Sequence, residues 1–168
     1  MAAGEHGCRC PPGGERALTP GEVALARSVF GTAIDYGRVT IRRRKFFPFQ
    51  PRAITMAPRG HLHFHPLGHA YCDDFAEAAL SRQGLFIHEM THVWQTHTRG
   101  EWYLVLHRHP WCRYDYSLKP AQPLVRYGIE QQAEIVRHAF LLRNGAQIAG
   151  VGDPAAYDLL VRFPGAGA

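Results

Sequence analysis

The sequence predicts an α+β domain in which a short mixed sheet packs against two helices. Three observations carry that reading. Apolar residues recur at helical spacing in "LFIHEMTHVWQTH" and again in "GIEQQAEIVRHAFLLR". Between them and the N-terminus, residues 39–65 switch to short alternating runs broken by proline and glycine, the pattern of strands and turns. The chain has 168 residues, of which 46% are hydrophobic and 20% charged. That is one domain's length, enough for a core of its own without a staple.

The elements follow in order. Residues 1–17 are rich in glycine and proline and have little to bury, so they are expected to form a disordered tail, with a single domain over 18–168. In "LTPGEVALARSVFG", Thr19 is an N-cap, Pro20 the first helical residue and Glu22 the reciprocal cap. Val23, Ala24, Ala26, Val29 and Phe30 make the apolar face, and Gly31 is the stop. Val39, Ile41 and Arg43 alternate with Thr40, Arg42 and Arg44, a strand that Pro48 and Pro51 end. "AITMAPRGHLHFHP" reads as two short strands around a turn at residues 58–60. A polar connection leads to a helix over residues 85–97, closed by Gly100. Residues 102–106 are expected to be extended and to lead into a loop. A second strong helix spans residues 128–143, stopped by Asn144 and Gly145, and a last short one starts at Asp153 and Pro154.

Charge and cysteine content narrow the function classes. Net charge is +5 with a pI of about 9.3, and arginine supplies nearly all of it, since Lys45 and Lys119 are the only lysines. The densest cluster, "RRRK" at residues 42–45, admits a nucleic-acid-binding reading, but no nucleic-acid motif accompanies it. Nucleic acid is therefore disfavoured as a partner, and the cluster is read as a solvated strand. Cys8, Cys10, Cys72 and Cys112 lack the spacing of a zinc knuckle or a redox motif and are expected to be reduced. No run is long enough to span a membrane, and the N-terminus has no apolar segment of a secretory signal. The expected location is the cytoplasm, or outside the cell by export without a cleaved signal.

The chemistry is written in "HEMTH". Residues four apart share a helix face, so His88 and His92 can point at one metal ion, with Glu89 beside them as general base. Every other residue from 85 to 94 is uncharged, so the helix is expected to be buried nearly all round, where a lone carboxylate is costly unless it is engaged. A catalytic zinc usually takes three protein ligands. The downstream candidates are His97, Glu101, His107, His109, Asp115, Glu130, Glu134 and His138. The metzincin pattern is excluded, because Gln95 and Thr98 stand where it requires glycine and histidine. Glu130 is the favoured third ligand, lying beside the stripe of Ile129, Ala133, Val136 and Phe140. Glu134, one turn on, would accept the N–H of a ligand histidine, while Gln131 and Gln132 turn away. His61, His63 and His65 share one strand face and could hold a second metal, or the strand could lie along the cleft and pair with an extended peptide. Tyr114, Tyr116, Tyr127, His107 and His109 are candidate oxyanion donors.

On these residues the sequence resembles a known group. "HEMTH" followed by a helix with "EQQAE" looks like the gluzincin arrangement, with Glu134 where aspartate is usual. With "LTPGEVALARSVFG" and "AITMAPRGHLHFHP", it is similar to the metallopeptidase domain found with bacterial toxin polypeptides and contractile injection systems. "FIHEMTHVWQ" and "YGIEQQAEIV" are similar to recurring phrases of the bacterial Vgr-related proteins, and the resemblance covers about residues 17–145. It implies a small zincin-like, zinc-peptidase fold, a peptide or protein substrate, and secretion-system components as partners.

The expectation is thus a zinc hydrolase, most simply a peptidase, with His88, His92 and Glu130 as ligands and Glu89 as base. Mixed imidazole and carboxylate ligation favours Zn2+, although other transition metals accept it. The rivals are a metal-stabilised module of a secretion apparatus without activity, and a basic nucleic-acid binder.

Overall fold

At the centre of the sheet is strand β2, Thr40–Arg42. Strand β1 (Glu15–Ala17) runs antiparallel to it and pairs Arg16 with Ile41. Strand β3 (Leu62–His63) runs parallel and pairs Ile41 with Leu62, so the sheet is mixed, in the order β1-β2-β3. The computed structural model describes residues 10–108 and 111–166. Met56 and His63 exchange both backbone hydrogen bonds across the turn at residues 58–60, which reduces the expected pair of strands to one antiparallel bridge.

From the sequence, the tail extends to residue 17; in the structure Glu15–Ala17 is a strand and Cys10 is buried. The cause is a pairing with residues about 25 positions away, which no local pattern announces. Residues 1–9 of the expected tail, Cys8 among them, lie outside the described residues. The pairing also occupies the basic cluster. Arg42 and Arg44 both reach Glu15, Arg43 lies over the Tyr71 ring and donates to the Cys10 carbonyl, and Lys45 donates to the Pro48 carbonyl.

Helix α1 (Pro20–Phe30) starts as expected: Glu22 N–H donates to Thr19 Oγ1 at 3.0 Å, and Thr19 N–H donates to Glu22 Oε2 at 2.9 Å. Gly31 ends it at φ 52°, and a Cβ there would stand 2.0 Å from the Pro164 carbonyl oxygen, so the C-terminal segment can close over the helix end.

Helix α2 (Leu80–Arg99) begins five residues before the expected start. Gly84, just before the expected start, lies inside the helix at a point of close approach: a Cβ there would lie 3.0 Å from Leu141 Cδ2. Leu141 belongs to helix α4 (Ile129–Arg143), which lies against α2 as its principal helical neighbour. Where residues 102–106 were expected to be extended, the chain forms a short helix α3 (Tyr103–His107), with Leu106 N–H donating to the Trp102 carbonyl and Arg108 N–H to the Leu104 carbonyl. Helix α5 (Pro154–Leu160) is capped by Asp153, as expected.

The core aligns α2. Phe64, Phe75 and Phe86 stack in series at 5.3 and 5.4 Å between ring centroids. Ile87 and Met90 are fully buried on the same helix, and Ile135 and Val136 on α4. Each such side chain contributes about 2 kcal/mol of transfer free energy. With Phe86 and Met90 committed to the core, His88 and His92 are set on the side that meets α4. Among the described residues no helix is long and apolar enough to cross a membrane.

Candidate metal centre

His88 and His92 project from consecutive turns of α2, and Glu130 from the first turn of α4. His88 Nε2 and His92 Nε2 each lie 3.3 Å from Glu130 Oε2. Among the described residues these three are the one group whose ligand atoms come within 4.8 Å of one another, and all three are buried.

The proton arrangement follows from the neighbours. His92 Nδ1 is 2.9 Å from Gln95 Oε1, while Gln95 Nε2 donates to the Ile129 carbonyl at 3.0 Å and to Gln132 Oε1 at 3.1 Å. With both amide hydrogens of Gln95 so used, its oxygen must accept, and His92 carries its proton on Nδ1. The Nε2 lone pair therefore faces the Glu130 carboxylate. Two acceptors at 3.3 Å repel unless a cation lies between them. His92 Nε2, both Glu130 oxygens and Glu89 Oε2 are buried without a hydrogen-bond partner. Buried polar atoms are rarely left so, and each costs a few kcal/mol.

The spacing fits a metal. Zinc–nitrogen and zinc–oxygen bonds of about 2.0–2.1 Å on tetrahedral axes put neighbouring ligand atoms about 3.3 Å apart. Two of the three ligand pairs stand at that separation. The outer shell is also built. Glu134 Oε1 lies 2.8 Å from His88 Nδ1, close enough to orient the ring although off the ideal hydrogen-bond line. Burial opposes charge on His88, but Glu130 and Glu134 outweigh it and raise its pKa to about 9. Burial likewise disfavours the Glu130 carboxylate, yet His88 and Arg108 hold its pKa well below the usual value.

The other candidates are placed elsewhere. Glu101 pairs with Arg59, Asp115 with Arg113, and His107 Nδ1 bonds the Tyr103 carbonyl. His138 faces Glu134, away from the triad, and His97 has no part in it. His109 lies outside the described residues. The histidines of residues 61–65 do not converge: His61 Nδ1 meets Thr40 Oγ1, His63 Nδ1 faces the Arg44 carbonyl, and His65 Nδ1 accepts from Leu67 N–H. Of the candidate oxyanion donors, Tyr127 accepts from Lys119 N–H and Tyr116 is engaged by His138 and Tyr157. Tyr114 remains beside the site, its ring 6.4 Å from that of His88 and nearly parallel to it.

Sequence reasoning missed three contributors. Gln132 was expected to turn away, but it is buried and pins Gln95 while its own amide donates to the Tyr127 carbonyl. Gln95 was legible in principle, since three residues after His92 on a helix is the same face. Arg108 gave no local signal. Its Nε stands 2.5 Å from Glu130 Oε1, and its Nη2 lies 3.5 Å from Tyr114 Oη. It brings positive charge to the rim of the triad without completing an aligned hydrogen bond to Glu130. A cavity of 890 Å3 lies apart from this chemistry, lined by Trp94, Leu124, Leu160 and Phe163 among others.

No protein-family model matches the chain. It is 44% identical over 136 residues to the type VI secretion system spike protein VgrG2b of Pseudomonas aeruginosa, an alignment covering 77% of this chain but 13% of that protein. The solved structure of the effector domain of Pseudomonas aeruginosa VgrG2b matches with a TM-score of 0.70 and 35% identity, covering 96% of this chain and 88% of that one.

Proposed function

The chain belongs to the family of the VgrG2b effector domain, and from that premise we propose that it is a metal-dependent hydrolase, a zinc peptidase of the gluzincin kind, acting as a type VI secretion effector. The observation that carries the proposal is the buried triad His88, His92 and Glu130, spaced as ligands, in which His92 Nε2 and both Glu130 oxygens are unpartnered. A divalent cation bound there supplies Lewis acidity, polarising a carbonyl and making water a nucleophile near neutral pH. The chain's own residues account for the rest. Glu89 is 3% exposed with Oε2 free of hydrogen bonds, so it can take a proton from the attacking water and return it to the leaving amine. Arg108 and Tyr114 flank the triad with donors suited to the oxygen that gains charge. Gln95 and Glu134 hold the two imidazoles in the tautomers that leave Nε2 available.

The relation to the spike protein supports secretion-system components as partners, and a peptide or protein is the substrate proposed. The test is turnover of a peptide library by zinc-loaded protein. Glu89→Gln should keep its zinc and lose activity by about 10²–10⁴-fold, the usual weight of a general base. Full activity in Glu89→Gln, or stoichiometric zinc with no cleavage of any peptide by the wild type, would overturn the peptidase assignment.

A further inference from the structure

We propose that Tyr116, His138 and Tyr157 are positioning residues that hold the metal centre through Glu134, which makes helix α5 part of the site's architecture. The proposal rests on the metal-site reading above and adds to it the device that fixes one ligand from outside.

The observation is a continuous chain of polar contacts. Glu134 touches His88 Nδ1 with Oε1, and its Oε2 lies 3.4 Å from His138 Nε2. His138 Nδ1 is 2.5 Å from Tyr116 Oη, and Tyr116 Oη is 2.8 Å from Tyr157 Oη. Tyr157 sits on α5 and is 2% exposed. Proton bookkeeping then gives the chain one direction. A carboxylate only accepts, so its 3.4 Å approach to Nε2 favours the His138 proton there and leaves a lone pair on Nδ1. Tyr116 must donate to that lone pair, which leaves its oxygen to accept from Tyr157. The donations run Tyr157 to Tyr116 to His138, whose Nε2 faces Glu134, while His88 Nδ1 approaches Glu134 from the other side. In this arrangement the neutral His138 has a single tautomer, and a metal-bound His88 would keep its proton on Nδ1, towards Glu134, and present Nε2 to the triad.

Glutamate needs such support. Its three side-chain torsions allow many positions for a carboxylate that must meet one ring nitrogen, and ordering it has an entropic cost. Arg137 Nη1 at 3.3 Å from Oε1 and His138 on Oε2 restrict it from two further directions. Tyr116 and His138 border a cavity of 580 Å3 with Tyr157 and Asp153, and Tyr114, beside the triad, lines it too.

The experiment titrates Co2+ into the metal-free full-length protein and reads both the dissociation constant and the visible absorption bands, which report ligand geometry. The variants are Tyr116→Phe, Tyr157→Phe, His138→Leu, His138→Gln and, as a control, Tyr36→Phe. Tyr36 donates a buried hydrogen bond to the Gly31 carbonyl at 2.8 Å, far along the chain from the triad. Tyr116→Phe and His138→Leu should loosen Co2+ by about tenfold and shift the bands, the usual effect of losing an outer-shell partner. Tyr157→Phe should do the same more weakly. His138→Gln should recover most of the loss, because its amide can accept from Tyr116 and donate to Glu134. Tyr36→Phe should match the wild type. Wild-type affinity and unshifted bands in both Tyr116→Phe and His138→Leu would overturn the proposal, as would an equal loss in Tyr36→Phe. If the wild type takes up no Co2+, it is the metal-site reading that fails, and this inference falls with it.

Discussion

Two glutamates of this protein are wholly buried, and the fold treats them in opposite ways. Glu22 and Glu130 are both 0% exposed. Around Glu22 every lone pair is used. Arg16 grips it with two bonds of 2.7 and 2.8 Å, Thr19 N–H donates to Oε2, and Phe75 N–H donates to Oε1. Arg16 itself goes on to bond the Cys72 carbonyl and Tyr71 Oη. This carboxylate ties β1, α1 and the segment before α2 together. Around Glu130 nothing is saturated: two imidazole nitrogens and an arginine approach, and neither oxygen is hydrogen-bonded. The first arrangement is complete in itself. The second is completed only by something added, and that difference separates a structural buried charge from a site.

The sharpest way to break the comparison is to disrupt the pairing of each carboxylate and measure stability in chelator. Arg16→Leu strands Glu22 and should cost about 3–5 kcal/mol in urea unfolding. Glu130→Gln should cost the metal-free protein less, because it leaves Arg108 unpaired at a partly exposed rim, whereas Arg16→Leu leaves a fully buried carboxylate unpaired. Equal losses in the two variants would erase the distinction.

A smaller effect sharpens it through pH, since buried histidines of the two regions are shifted in opposite directions. His63, on β3, is lowered from 6.5 to about 4 by burial and by Arg42. Its neutral form is the native one, so its stability is fully present above pH 6.5 and is lost as pH falls from there towards 4. The full loss is about 3 kcal/mol for such a shift. His88 is raised to about 9, so in the metal-free protein its contribution is present below 6.5 and is lost as pH rises through 9. Unfolding free energies against pH for His63→Gln and His88→Gln should flatten the acid limb and the alkaline limb respectively. The same limb flattened by both variants would count against the assignment.

How much of this was legible depended on the range of the interactions. His88, His92 and Glu89 are spaced by one helix, and Glu130 and Glu134 by another, so local periodicity was enough to nominate them. The caps of α1 were readable for the same reason: Thr19, Pro20 and Glu22 are neighbours. What escaped were features made by distant partners. β1 exists because Arg16 finds Ile41, and Gly84 remains helical because Leu141 packs on it. Arg108 reaches Glu130 only after the chain leaves α2, turns and forms α3, a segment whose aromatic content suggested a strand. Gln132 was misjudged because its glutamine partner lies on the other helix.

The central claim is that the triad on α2 and α4 holds a metal ion. Elemental analysis of the purified protein, after loading with zinc and removal of the excess, tests it most directly. The account predicts about one zinc per chain in the wild type and in Glu89→Gln, and almost none in His92→Gln or Glu130→Gln. Zinc retained equally by the wild type and Glu130→Gln, or absent from both, would contradict it.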